Sequence, residues 1–92
     1  MEQNVLDERP RQVRTRFELA ARRWVERWLA SGRMRVSAHD LVIVREFLET
    51  AGMRVEDAPD LRVRVVSRHG RAQEVTREAA AMIALRCLAD AE

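Results

Sequence analysis

The stretch from Leu61 to Leu88 constrains the fold most. It reads Leu61-Arg62-Val63-Arg64-Val65-Val66-Ser67, passes a His69-Gly70 turn, and from Thr76 becomes a largely apolar run to Leu88. Leu61, Val63 and Val65 alternate with Arg62 and Arg64, which predicts a strand with one buried face. His69-Gly70 fits a tight hairpin turn, followed by a weaker return strand from Arg71 to Val75. A two-residue turn sets Val65 opposite Glu74; a three-residue bulged turn is read as pairing Val65 with Val75. Thr76 caps a helix to about Ala89, with Glu78 and Arg86 as its only charged interior positions. A helix apolar nearly all round is either central to a core or shared with a second subunit.

The first half supplies two more helices. Val13, Phe17, Ala20, Ala21, Trp24 and Trp28 recur at three- and four-residue steps, so one apolar stripe runs along a helix from about residue 9 to residue 31. Asp7 suits its N-cap and Pro10 its first turn, and Gly32 suits the left-handed position after its end. Ser37 caps a second helix with Asp40 at its third position. Leu41, Val44, Phe47, Leu48 and Ala51 form its inner face, and Gly52 stops it. Residues 53–60, containing Glu56-Asp57-Ala58-Pro59-Asp60, read as a loop. The expected fold is α+β, mainly helical, in the order α-α-β-β-α, with one β-hairpin packed on three helices. Residues 1–8 read as a polar N-terminal tail and residues 9–92 as a single domain.

At 92 residues, a chain that is 47% apolar has one modest core. No apolar run approaches the ~20 residues of a membrane span, the acidic start is unlike a signal peptide, and Cys87 has no disulfide partner in the chain. These features place the expectation in a reducing cytoplasm. All seventeen basic residues are arginine. Arginine binds phosphate and carboxylate through a planar fork, but codon bias in a GC-rich bacterial genome accounts for the same usage.

The net charge is only +2, yet it is unevenly distributed. Residues 9–35 carry nine arginines against Glu18 and Glu26, a net +7, and residues 61–77 carry five against Glu74, a net +4. Residues 36–60 carry two arginines against six acids, a net −4. Such segregation can build a basic face on a nearly neutral protein. On the first helix, Arg9, Arg16, Arg23 and Arg27 fall within about 40° of one another. On the hairpin, Arg62, Arg64, Arg68 and Arg71, with His69 at the tip, resemble the basic wing of winged-helix proteins. The second helix departs from that family, because Asp40, Glu46 and Glu49 against Arg45 make a poor recognition face for a phosphate-lined groove. Gly32, Gly52 and Gly70 provide no Gly-x-x-Gly clamp, which excludes a K-homology RNA-binding domain.

Catalytic and metal chemistry find little support. His39 and Asp40 are helical neighbours about 100° apart, which do not form a dyad by themselves. Two histidines and one cysteine are too sparse for a zinc site, and Cys87, among apolar residues, reads as a structural thiol. No cofactor is expected. The reading is a non-enzymatic, nucleic-acid-binding regulator that grips phosphates with Arg16, Arg23, Arg27, Arg62, Arg64, Arg68 and Arg71. The alternative is a small protein-binding adaptor or inhibitor acting on a host protein complex, as encoded by many phages and mobile elements. A homodimer through helix 3 or the Trp24/Trp28 face is compatible with either.

Overall fold

The computed structural model describes the backbone of residues 2–90 and the side chains of residues 9–90. Six elements follow in the order α1 (Glu2–Ser31), α2 (Ala38–Thr50), β1 (Arg54–Asp57), β2 (Arg62–Val66), β3 (Ala72–Thr76) and α3 (Arg77–Asp90). The class is α+β and mainly helical, with a third strand joining the anticipated hairpin. The strands form one antiparallel sheet in the order β1-β2-β3.

Local chemistry explains most of the element ends. Ser37 and Asp40 make a reciprocal capping box: Ser37 Oγ accepts from Asp40 N at 3.1 Å, and Ser37 N donates to Asp40 Oδ2 at 3.3 Å. Past the other end of α2, Gly52 sits at φ +90° while Met53 N donates to Leu48 O at 2.9 Å. That long closing bond needs a left-handed residue at its bend, where glycine carries no Cβ penalty. Gly32 plays the same part after α1. Thr76 ends β3 and caps α3, its hydroxyl accepting from Ala79 N at 3.1 Å.

The start of α1 differs from expectation. The helix begins at Glu2, so Asp7 is a helical residue and Pro10 lies in the interior. The segment assigned to a tail is therefore helical backbone from Glu2 onward; the side chains of residues 1–8 lie outside the described residues. Pro10 withholds one N–H from the helical ladder, so the sequence signal for a first turn was a local weak point inside a longer helix.

The core joins all the elements. Phe17 and Trp24 of α1, Val44 and Leu48 of α2, Val63 of β2 and Ala80, Ala81 and Ala84 of α3 are essentially sealed from solvent. Phe17 stacks on Phe47 with ring centroids 4.2 Å apart and meets Trp24 edge-on at 5.7 Å. The three alanines form the inner face of α3 and let it approach its neighbours closely, while Met82 on the same helix is 54% exposed. α2 and α3 cover the inner face of the sheet, where Val55, Val63, Val65 and Val75 are buried. α1 packs against α2, and Ala21 and Val25 of α1 share a groove with Leu88 of α3. The helical layer thus stands between α1 and the sheet.

Two strand details correct the sequence reading. Five residues, Ser67-Arg68-His69-Gly70-Arg71, connect β2 to β3, and Ser67 N donates to Arg71 O at 2.9 Å across them, so Val65 lies opposite Gln73 and Val63 opposite Val75. Neither expected pairing of Val65 occurs. Leu61 is not an inward strand residue; it lies in the β1–β2 turn at φ +61°, beside Asp60 at φ +60°, and is 76% exposed.

Candidate interaction surface on α1

The seven arginines singled out in the sequence form two sets that do not share a face. Arg16, Arg23 and Arg27 lie exposed on one flank of α1, and Arg16 and Arg23 border α2. Arg62 and Arg64 lie on the outer face of the sheet, away from the helices. α2 shows why the sets diverge. Phe47 and Glu46 meet α1, whereas Arg45, about 100° round the helix from Glu46, reaches across to Asp57 of β1 at 2.9 Å.

The sets are also internally divided. Arg16 Nη1 donates to both oxygens of Glu46, at 3.2 and 3.3 Å. Arg64 lies between Glu56 and Glu74 in register and donates to Glu74 Oε1 at 3.4 Å. Arg62 starts β2, whereas Arg68 lies in the turn beyond its far end. The stem of Arg68 folds over Gly52 so closely that a Cβ there would lie 2.6 Å from its Cδ. Arg68 therefore covers the corner where α2 and α3 end, beside Ala51, Cys87 and Asp90, rather than projecting from a wing. Arg71 is exposed, its N–H donating to Ser67 Oγ at 3.2 Å. Arg23, Arg27, Arg62, Arg68 and Arg71 make no ion pair among the described residues.

Several exposed apolar side chains escaped the sequence reading. Leu19, Val25 and Leu29 of α1 are 56%, 40% and 80% exposed, and Val42 of α2 is 51% exposed. They lie off the buried stripe of their helices, so periodicity gave them no role. Trp28 is different. It lies on the same stripe as fully buried Trp24, yet is 55% exposed. α1 has 30 residues and α2 only 13, a difference of about 25 Å in length. The short partner covers α1 from Val13 to Trp24 and leaves the last turns projecting. Trp24 is fully buried, whereas Trp28 retains its surface.

Between α1 and α2 runs a groove of about 400 Å³. Ile43 lies at its floor, Leu19 and Val42 border it, Arg23 and His39 stand on its rim, and the Arg16–Glu46 pair closes one side. Beneath it is a buried polar clasp. Trp24 Nε1–H donates to Asp40 Oδ2 at 3.1 Å, joining α1 to the cap of α2. Burial pushes the Asp40 carboxyl up, but donation from the Trp24 indole and from Ser37, with the charge of Arg23, outweighs it and leaves the group below its ordinary value. Asp40 is thus more than the helix-end charge expected from the sequence; it also positions the wall of the groove.

The other chemistry-bearing residues stay apart. Burial, reinforced by Asp90 and opposed by Arg68, raises the Cys87 thiol, which disfavours its thiolate form. His39 lies on α2 and His69 at the hairpin tip. Among the described residues no three His, Cys, Asp or Glu side chains are grouped to hold a metal ion, and no helix is long and apolar enough to cross a membrane. Comparison with protein-family models, curated proteins and solved structures returned no match.

Proposed function

We propose that this chain is a small, non-enzymatic protein-binding module, an adaptor or inhibitor, that presents α1 to its partner. The observation that carries the reading is Trp28: a large aromatic left half-exposed where α1 outruns α2, with Leu29 beside it. Tryptophan and arginine are the side chains most often found at the energetic centres of interfaces, and α1 offers both. The test is affinity purification from the source cells with and without nuclease, using the natural chain and a Trp28→Ala, Leu29→Ala variant. Both positions are exposed, so circular dichroism should show an unchanged fold. A protein that persists through nuclease and is lost with the variant supports the reading; nucleic acid as the sole co-purifying species refutes it.

A second reading, nucleic-acid binding, draws on Arg23 and Arg27, exposed on a segment of net +7. It requires α1 to act without the hairpin. Its signature is affinity for any sequence that falls steeply with salt.

A further inference from the structure

We propose that the α1–α2 groove receives an amphipathic helical segment of another protein, apolar along one ridge and acidic along its flank. This rests on the protein-binding reading and specifies its partner. The groove combines two kinds of surface. Leu19 and Val42, more than half exposed, make an apolar pair over Ile43. Arg23 and His39 form the rim, and Arg27 follows Arg23 one turn along the same flank of α1. Glu46, the carboxylate on this wall, is already neutralised by Arg16 at 3.2 Å, so the groove retains a basic character.

Spacing favours a helix as the occupant. Along α1, Arg23 and Arg27, which make no ion pair among the described residues, are separated by about 6 Å, from 1.5 Å per residue. Carboxylates at positions i and i+4 of a helix laid alongside repeat at the same interval, because both helices share one rise. Leu19 lies one turn before Arg23 in the same groove, so an apolar ridge with three- and four-residue steps meets it while the acidic flank meets Arg23 and Arg27. A phosphate backbone would use the arginines but leave Leu19 and Val42 against charged oxygen, desolvating it without a hydrogen-bond donor. The apolar pair Leu19 and Val42 beside the arginines is therefore what selects an acidic peptide over a nucleic acid.

The experiment uses the full chain and three fluorescent probes: a helical peptide with a leucine ridge and glutamate flanks, the same peptide with lysine flanks, and a 20-nucleotide single strand. Anisotropy measures affinity, and amide chemical shifts locate the contact. The glutamate peptide should bind at least tenfold tighter than the lysine peptide and shift the amides around Leu19 and Val42. Leu19→Asp should weaken it at least tenfold. Arg23→Glu with Arg27→Glu should invert the preference, so that the lysine peptide binds better; this gain is a result that a misfolded variant cannot give. Equal binding of both peptides, or indifference to Leu19→Asp, overturns the proposal. Peptide contact mapped to Trp28 and Leu29 overturns the groove but leaves the protein-binding reading standing. Binding of the nucleotide strand alone overturns both.

Discussion

Trp24→Phe is the sharpest probe of how α1 is held. The substitution keeps an aromatic ring in the core but deletes the indole N–H that donates to Asp40 Oδ2 at 3.1 Å. A hydrogen bond to a charged group contributes about 1.5–3 kcal/mol. Trp24 is fully buried, so the smaller ring also leaves a void, at a further cost of about 1 kcal/mol. The expected loss is about 2.5–4 kcal/mol, against a total of about 5–14 kcal/mol for a domain of this size. Urea denaturation followed by circular dichroism measures it. Asp40→Asn isolates the charge. In that background Trp24→Phe should cost about 1–2 kcal/mol less, because the charge-assisted part of the bond has already gone. Acid provides a second readout. The folded carboxyl lies below its ordinary value of 3.8, so its contribution is present above about pH 4 and is lost as the pH falls through the lower folded value. The Asn variant should lack that portion of the acid sensitivity. Strictly additive losses, or a loss below 1 kcal/mol for Trp24→Phe, would refute the clasp.

Three further perturbations test other parts of the structure. Leu61→Gly should stabilise the chain by about 0.5–1 kcal/mol, because Leu61 holds a left-handed φ of +61° while 76% exposed, so little packing is given up; thermal unfolding reads the gain. Gly52→Ala should destabilise by about 1–2 kcal/mol, combining strain at φ +90° with collision against the Arg68 stem. Adding Arg68→Ala should recover the collision alone, leaving the backbone strain. Cys87 should react with a thiol reagent at pH 8 more slowly in the native protein than in urea, since burial disfavours the thiolate; equal rates would contradict that placement.

What could be read from the sequence was local. Gly32, Ser37, Gly52 and Thr76 mark element boundaries because capping acts within a few residues, and the stripe from Val13 to Trp24 identified a buried helix face. Strand β1 was missed because Arg54-Val55-Glu56-Asp57 offers one apolar residue and two acids, and depends on pairing with β2 to exist. Leu61 extends the alternation on paper, but the turn takes it out of the strand. Trp28 continues the periodicity of Trp24, and periodicity contains no information about where the opposing helix stops. The charge blocks are legible along the chain. Their relation in space depends on α2 and α3 intervening between α1 and the sheet, which no linear charge count reveals.

If α1, not the arginine-bearing hairpin, is the surface presented to a partner, binding shields that helix from solvent. Amide hydrogen exchange on the purified complex tests it most directly. Exchange should slow along residues 16–29 and at α2 residues near Val42, with the loop at Arg68-His69-Gly70 unchanged. Slowed exchange confined to that loop and the outer strands would contradict it.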